Sequence, residues 1–491
     1  MLTRRFRAKV TDESYHQPLI NNSSNRRSIR LLLPNTLSTR PHPSHPTAAT
    51  DLLSNCNTTS NSNNHRPGAD STDDDVAPQI STTATQIVIN NQILSKTLSN
   101  TLPFNQNQNL SEDKGSQRDL QQILNTFKAP IRYGFGYGSA IFSQTSSKRD
   151  LKSDRAAKWA ELSDPMYDFI FAVSHPNHWH SINLQQNPKH YSLLARSIGS
   201  SSISWLQQTA PGAGLWFNIE NRVNRKIIKY GVISIDELCD DLLDWKTLYI
   251  SGRMHKPTMV LKDDPRIRLA QQVNLSSALR TSLLLLPERF EELELYRTIC
   301  SLSYQGDFRF MIGGEDPRKV EKIVEFQFEM FRRLYEPLLK PMRLKVLDRN
   351  DREVEFKDYS DDDEGKAKSW RGGRRFRQDF TTRGRIDLFK KLPTNLRKIV
   401  LDSSKHQNSS MRFQSNKNGE NRSMSDEERE EELLKSLLVD QKLERRIREG
   451  LRRIVFRSSL SQSLKGLISN GPIKSFRYAF NKLCKGWLKS F

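Results

Sequence analysis

The part of the chain that most constrains its fold is residues 131–144, which read IRYGFGYGSAIFSQ. The alternation of aromatic residues and glycines predicts a short strand that turns at a glycine–serine pair. Glycine has no Cβ, so backbone amides near Gly136 and Gly138 can approach a phosphate oxygen closely. The hydroxyl of Ser139 can donate to the same phosphate. A tight hairpin without a ligand is the alternative interpretation of this pattern.

A second strand is predicted at Met166–Val173, MYDFIFAV. Its β-branched and aromatic residues are typical of a buried strand, yet it carries one acid, Asp168. A carboxylate within such a strand is costly unless it is paired or holds a cation. Nucleotidyltransferases of the polymerase-β type hold Mg²⁺ and a nucleoside triphosphate with a glycine–serine turn followed by an aspartate-bearing strand. The alternative is a strand-end acid that faces solvent.

The net charge of the chain indicates which classes of partner it can bind. The 491 residues include 77 Lys and Arg but only 56 Asp and Glu, a formal net charge of +21. Such a balance favours an anionic partner, which could be nucleic acid, an anionic membrane or a phosphorylated substrate. The 4 cysteines are scattered and form no CxxC pair, so neither a zinc ribbon nor a disulfide framework is indicated. No long apolar run predicts a helix that spans a membrane.

The N-terminal region, residues 1–109, is predicted to lack a packed core. It opens with MLTRRFRAKV, and Asp12 and Glu13 are its only acids before residue 51. An Arg- and Ser-rich, acid-poor start is typical of a mitochondrial transit peptide, although a disordered basic tail fits the same composition. The following Ser/Thr/Asn/Pro-rich stretch is predicted to be disordered.

Ordered structure is expected from Leu110 onward, in a domain covering residues 110–250. Helical spacing predicts a helix at Ser116–Phe127, and further strands are predicted at Leu215–Ile219 and Lys226–Ser234. A capping box then opens a helix at Ser234 that is predicted to end near Gly252. Residues 251–342 are predicted to form a second, helical domain.

Several polar clusters have both a functional and a structural interpretation. Four histidines, His175, His178, His180 and His190, follow the second strand, but their spacing is not a standard metal-ligand set. A loop that contacts substrate is the favoured interpretation. The turn Arg253–Lys256 is dense in positive charge and either binds phosphates or simply solvates a loop.

Residues 343–425 are predicted to be a charged, disordered insertion. They contain SDDDE, RGGRRFR and a long run rich in Asn, Ser and Glu. The arginine–glycine piece resembles low-complexity segments that bind RNA, but one short copy is a weak signal, and a solvated linker is favoured.

The C-terminal region, residues 426–491, is predicted to be helical. A first helix is expected at Asp426–Arg457, and no acid follows Glu449. In Pro472–Phe491, apolar residues recur three or four apart among lysines and arginines, which is typical of a helix lying in an anionic membrane interface. A helix that packs back on the protein is the alternative. The proposed membrane-facing residues are Ile473, Phe476, Phe480, Leu483, Trp487 and Phe491.

Several longer motifs together resemble the mitochondrial phosphatidate cytidylyltransferase family, which is also known for translocator assembly and maintenance. They are YGFGYGSAIFSQ, YDFIFAVSHPNHWHSINLQQNPKHYS, GAGLWFN, KYGVISIDELCDDLLDWKTLYISGRMHKP and LSYQGDFRFMIGGEDPRKVEKIV. They occur in this order within residues 120–339, and the likeness returns near the C-terminus. The number and length of the motifs make the resemblance specific.

The resemblance implies an α/β fold, with a nucleotidyltransferase-type mixed sheet and helices, a smaller helical domain of winged-helix type and a C-terminal amphipathic helix. It implies a Mg²⁺-dependent reaction of CTP with phosphatidate that feeds cardiolipin synthesis. It also implies peripheral attachment to anionic lipids on the matrix side of the mitochondrial inner membrane. Nucleic acid is disfavoured as a partner.

The resemblance also assigns residues by motif. It implies that Gly136, Gly138 and Ser139 form the triphosphate turn and that Asp168 is the metal carboxylate, with Ser139 and Asp168 as the catalytic residues. The residues implied to contact phosphates are Lys229, Arg253, His255 and Lys256.

The sequence departs from the pattern at the second metal carboxylate. Many nucleotidyltransferases carry a second acid two residues after the first, where this chain has Ile170, and Ser174 stands where other members have an acid. Asp236, Asp240 and Asp241 are therefore considered as substitutes.

Two other functions fit parts of the sequence. A nucleotidyltransferase acting on RNA would use the positive charge and the arginine–glycine piece. A non-catalytic inner-membrane scaffold for protein import would tolerate the missing carboxylate.

Overall fold

The computed structural model describes residues 106–108, 110, 114–142, 165–311, 313, 315–348, 350–355, 373–412, 426–439 and 442–470. The predicted transit peptide and the predicted amphipathic segment at 472–491 lie outside these residues. Among the helices described, none combines the length and the apolar character needed to cross a bilayer. The described part is a mixed α/β structure, as expected.

A five-stranded mixed sheet forms the centre of the first domain, in the order β3-β4-β2-β1-β5. Strand β2 runs parallel to β4, whereas β1 is antiparallel to both of its neighbours and β3 is antiparallel to β4. The strands are β1 (Tyr133–Tyr137), β2 (Met166–Val173), β3 (Trp216–Val223), β4 (Lys226–Ser234) and β5 (Met259–Lys262).

Helices cover both faces of this sheet. Because successive side chains of a strand point to opposite faces, Phe169 and Phe171 of β2 pack with Leu120 on one face, whereas Ile170 packs with Leu238 on the other. The helices of this part are α1 (Lys114–Asn125), α2 (Pro176–Gln186), α3 (Leu193–Thr209), α4 (Ile235–Asp244) and the short α5 (Ser251–Met254).

The predicted strands at 166–173 and 226–234 are confirmed, and so is the cap at Ser234, whose hydroxyl accepts from the amide of Glu237. The predicted end of α4 near Gly252 is wrong. Trp245 has a left-handed backbone, with φ of 54°, and ends the helix after Asp244. Its indole donates to Asn274 at 2.8 Å, so tertiary contacts fix the earlier end.

The second domain combines helices with a small sheet, so the prediction of a helical domain at 251–342 is incomplete. Its sheet has four strands in the order β6-β9-β7-β8 and is antiparallel throughout. The helices are α6 (Pro265–Leu285), α7 (Glu292–Ser301), α8 (Phe308–Met311), α9 (Lys319–Phe326) and α10 (Phe328–Leu339). The strands are β6 (Arg289–Glu291), β7 (Lys345–Leu347), β8 (Glu353–Val354) and β9 (Arg375–Arg377).

Three of these strands come from residues 343–425, for which the composition predicts a disordered insertion. The same region forms α11 (Thr382–Lys390) and α12 (Thr394–Arg412). Isolated apolar residues among its charges are buried in the second core, notably Phe376, Phe389 and Val400. The prediction is therefore wrong for the described parts of this region, because a few well-placed apolar side chains outweigh a charged average composition.

Two C-terminal helices, α13 (Asp426–Val439) and α14 (Leu443–Asn470), replace the single helix predicted at 426–457. The first half of α14 packs in the second core through Ile447 and Leu451. Its second half reaches the first domain, where Gln462 donates to the carbonyl of Leu215 at 3.4 Å. Helix α14 therefore contacts both domains.

Candidate active site

A cavity of about 280 Å³ lies between the first sheet, the loop after α7 and α14. Its polar lining includes five cationic side chains and three carboxylates. The cations are Lys229, Arg253, Lys256, Arg309 and Lys319, and the carboxylates are Asp168, Asp307 and Glu315. Helix α14 contributes Val455, Ser458 and Ser459.

The register of the first sheet places Tyr137, Asp168 and Lys229 side by side on three neighbouring strands. Tyr137 of β1 is paired with Asp168 of β2, and Asp168 is paired with Lys229 of β4. Paired residues of adjacent strands share a face, so the carboxylate and the ammonium meet, with Lys229 Nζ 3.1 Å from Asp168 Oδ1. This pair offsets the cost of placing a carboxylate in the sheet.

The glycine turn lies next to the same carboxylate. Gly138 has φ of 89°, and a Cβ there would lie 3.4 Å from Asp168 Oδ2. Its carbonyl accepts from the amides of Ile141 and Phe142, which closes the turn, and Ser139 lines the cavity beside it. Gly136 is placed differently, because a Cβ there would lie 2.3 Å from Ile141 Cδ1. Gly136 thus allows the turn to pack on the strand and does not line the cavity.

The positively charged turn Arg253–Lys256 contains three predicted phosphate-contacting residues, and two of them line the cavity. Arg253 stacks on Tyr249, with its guanidinium carbon 3.9 Å from the ring centroid. Lys256 donates to the carbonyl of Gly252 at 2.6 Å and to Ser303 Oγ at 2.8 Å. Burial lowers the pKa of Lys256 to about 8; Cys300 opposes this shift, and the neighbouring cations Arg253, Lys319 and Arg309 add to it.

His255 lies away from the cavity, so its predicted phosphate contact is not supported by its placement. Its side chain is fully buried, and its Nε2 is 3.0 Å from Asn274 Oδ1. The ring packs on Trp245 at 5.2 Å. Burial, followed by the charge of Lys256, lowers the pKa of His255 to about 3, so the ring is neutral and structural.

The segment from Asp307 to Lys319, which includes α8 and the start of α9, supplies cavity residues that the sequence analysis did not assign. Arg309 forms a two-pronged pair with Asp307, at 3.0 and 2.5 Å, and also contacts Glu315 at 3.2 Å. Lys319 pairs with Glu315 at 2.7 Å. The sequence shows the mixed charges of this segment and its LSYQGDFRF motif. Neither feature indicates which of its side chains face the first domain.

The three acids considered as a second metal carboxylate all lie outside the cavity lining. Asp241 is buried and accepts from the amides of Thr247, Leu248, Ile250 and Ser251, so it organises the loop after α4. Asp236 pairs with Arg266, and Asp240 pairs with Lys246. Asp241 therefore has a structural role, and the other two form surface pairs.

The histidines after β2 do not converge on one point. Both ring nitrogens of His180 are engaged, with Tyr191 at 2.8 Å and Gln207 at 2.9 Å. His190 contacts the hydroxyl of Tyr230 at 2.9 Å, whereas His175 and His178 are exposed. Burial lowers the pKa of His180 to about 4, partly opposed by its bond to Gln207, so it is a neutral member of a buried network.

Comparison with known proteins identifies the family. The family model described as phosphatidate cytidylyltransferase, mitochondrial, matches residues 120–485. A protein of that name from Schizosaccharomyces pombe is 36% identical over 395 residues, covering 80% of this chain and 89% of the relative. Those from Danio rerio and Xenopus laevis are each 36% identical, covering 75% and 76% of this chain and 94% and 95% of the relatives. Because the family model covers most of the chain and these relatives match over most of their length, the chain belongs to the mitochondrial phosphatidate cytidylyltransferase family.

Proposed function

We propose that this chain transfers the cytidylyl group of CTP to phosphatidate, releasing pyrophosphate and forming CDP-diacylglycerol. The observation that carries the proposal is the cavity that joins the Gly138–Ser139 turn, the Asp168–Lys229 pair and cations from two further elements. A nucleoside triphosphate and a phosphomonoester are both polyanions, and a cavity that receives them together needs an excess of positive charge.

The proposed reaction does not require a general base. The second pKa of a phosphomonoester is about 6, so the attacking oxygen of phosphatidate is largely ionised at neutral pH. That oxygen attacks the α-phosphorus of CTP, the bond to the β-phosphate oxygen breaks, and pyrophosphate leaves with the electron pair. Lys229, Arg253 and Lys256 would hold the two anions in line, and the amides of the glycine turn would bind the leaving phosphates.

The acids of the cavity fit one mode of Mg²⁺ binding. Among the described residues, no group of three His, Cys, Asp or Glu side chains is arranged to hold a metal alone. Mg²⁺, however, is commonly held by one or two carboxylates and completed by substrate phosphates. Asp168 lies beside the glycine turn and pairs with Lys229, whereas Asp307 and Glu315 pair with Arg309 and do not adjoin the turn. We assign Asp168 as the metal carboxylate, and Mg²⁺ bound there would neutralise charge on the phosphates.

The second domain is proposed to be of winged-helix type. Helix α6 leads into β6, four helices follow, and β7, β8 and β9 then complete the sheet, with β9 between β6 and β7. A helix, a strand, a group of helices and then strands that return to pair with the first strand are the order of elements expected of that class. In this enzyme the domain would serve to present Arg309 and Lys319 to the triphosphate.

The cellular setting follows from the substrate. Phosphatidate has two acyl chains and stays in a bilayer, so we propose that the chain is peripheral to the inner mitochondrial membrane, on the matrix side, where it supplies cardiolipin synthesis. The segment Ile473–Phe491 is the proposed interfacial helix, with its lysines near anionic lipid.

Pyrophosphate release tests the proposal and gives the first prediction. The purified chain, with Mg²⁺, phosphatidate liposomes and each of the four ribonucleoside triphosphates in turn, should turn over CTP only when phosphatidate is present. The D168N variant should lose at least about a hundredfold in rate, because the phosphates then lose their metal anchor. The matched control is D240N, which removes an exposed acid outside the cavity and should leave the rate unchanged.

The result also separates the alternatives. Turnover that required an RNA end in place of phosphatidate would favour the RNA nucleotidyltransferase. Absence of any turnover, with vesicle binding intact, would favour the import scaffold and would contradict the proposal.

A further inference from the structure

An apolar surface outside the cavity is formed where α3 meets the end of α14. Leu193 is 77% exposed, Leu194 52%, Leu464 56% and Ile468 39%. Ser192 joins the two helices, because its hydroxyl donates to the carbonyl of Ile468 at 3.3 Å. Large side chains exposed together on two packed helices indicate an interaction surface more strongly than single exposed ones. We call these four residues the α3–α14 surface.

A second contact joins α14 to the other end of α3. Lys465 is largely buried and donates to the carbonyls of Gln207 and Ala210, at 3.1 and 2.9 Å. These carbonyls belong to the C-terminal end of α3, so Lys465 caps that helix from α14. Gly199, with φ of 75° and ψ of 173°, breaks α3 between Leu194 and this cap, so each half of α3 has its own contact with α14.

The charge around the surface indicates its partner. No acid occurs between Asp168 and Glu220, the stretch that supplies α3, and none follows Glu449, the stretch that supplies most of α14. Arg196 is exposed one helical turn after Leu193. Arg457 is also exposed, and its spacing of seven to Leu464 and eleven to Ile468 places all three on one face of α14. Apolar side chains and arginines on helical stretches that carry no acid of their own complement an anionic lipid surface.

We propose that the α3–α14 surface docks on an anionic bilayer, so that the folded body itself contacts the membrane in addition to the C-terminal segment. This inference rests on the proposed function, which places one substrate in a bilayer. In the sequence, Ile468 lies five residues before Ile473, the first of the predicted membrane-facing residues. Two contacts would fix the orientation of the body on the membrane, which a single flexible attachment would not do.

Flotation with vesicles tests the surface directly. In the full chain, the double variant L193E/I468E should bind vesicles of phosphatidylcholine with phosphatidate at least about tenfold more weakly, because two apolar contacts are replaced by charges that anionic lipid repels. The control V354E places one such charge on an exposed apolar site of β8, 46% exposed, and should bind as the wild type does. Unchanged binding of L193E/I468E would overturn the proposal.

A fluorescent probe shows whether the α3–α14 surface is covered by the membrane or by the chain's own C-terminal segment. An environment-sensitive fluorophore is attached through Leu193→Cys, with Cys56 and Cys484 changed to serine, since Cys239 and Cys300 are buried. Its emission should shift to the blue only when vesicles are added. A blue-shifted emission before vesicles are added would mean that protein covers the surface and would contradict the proposal.

The failure of this surface can be told apart from failure of the proposed activity. On short-chain phosphatidate dispersed as monomers, L193E/I468E should turn over CTP at the wild-type rate, and its loss should appear only on vesicles. If the wild type turned over neither form of phosphatidate, the proposed activity would fail, while flotation would still report on the surface.

Discussion

Lys256 is a cavity residue whose charge changes with pH just above neutrality. Its ammonium is held between the carbonyl of Gly252 and Ser303 Oγ, and it lies 4.5 Å from the ring centroid of Tyr304. Burial and neighbouring cations lower its pKa to about 8, so part of the positive charge of the cavity is present at pH 7 and is lost as the pH rises through 8.

We therefore predict that CTP binding weakens above pH 8 in the wild type. The K256R variant keeps its charge at these pH values, so its affinity should remain nearly constant between pH 7 and pH 9. Isothermal titration calorimetry at several pH values makes the comparison, with the exposed K246R as control. An equally steep decline in K256R would assign the pH dependence to another group.

The same lowered pKa affects stability with a definite sign. In the unfolded chain this lysine keeps its proton up to the ordinary lysine pKa of 10.5, but in the folded chain it releases the proton near pH 8. Between these values the unfolded state binds more protons, so the contribution of Lys256 to the free energy of unfolding rises with pH. This lysine is therefore kept at a cost to stability at neutral pH, as expected of a binding group.

At the scale of elements, the second sheet depends on β9, a three-residue strand within a highly charged region. Phe376 at its centre is fully buried, and its ring centroid is 5.8 Å from that of Phe290 on β6. Beside it, Glu292 is buried and accepts from both Arg332 and Arg374 at 3.0 Å, so ion pairs and an aromatic contact hold the same strand.

Replacing Phe376 by alanine should therefore destabilise the second domain by about 3–5 kcal/mol, the usual effect of removing a buried aromatic side chain. Urea unfolding followed by circular dichroism measures the effect. V354A, on the exposed strand β8, is the control and should change stability by less than about 0.5 kcal/mol. If F376A unfolded at the wild-type midpoint, β9 would not be part of the folded core.

The elements also show what the sequence can and cannot predict. Strands β2 and β4 are readable because their apolar runs are long, and Asp168 and Lys229 stand out as charges within them. Their contact at 3.1 Å follows only from the parallel register of the two strands, which no local pattern encodes. Strand β9 escapes prediction because Phe376 is one apolar residue among four arginines, and only its distant partners reveal that it is buried.

At the scale of the whole molecule, α14 packs against the loop that leads into α8, the helix that carries Arg309. Gly306 in this loop has φ of 80°, and a Cβ there would lie 2.9 Å from the carbonyl oxygen of Arg452. Gly313 has a similar φ of 69°, but a Cβ there would meet no atom of the described residues within 4 Å. The two glycines therefore share the same backbone requirement and differ in their contact with α14.

We predict that G306A is more harmful than G313A. Both variants should lose about 1 kcal/mol from the left-handed backbone, but only G306A should also displace α14 from the loop. Thermal unfolding and CTP affinity are the measurements, and G306A should show the larger loss in both. Equal losses would mean that the contact between the loop and α14 does not support the cavity.

The position of α14 in the chain has a consequence for the order in which the protein is assembled. A polypeptide is synthesised from its N-terminus, so the Asp168–Lys229 pair can form well before Ser458 and Ser459 exist. The wall of the cavity that α14 supplies closes through contacts such as Gln462 with Leu215, 247 residues apart. A nascent chain thus holds the phosphate-binding turn before it holds a closed pocket, and a product that stops short of α14 would leave its charged groups open to water.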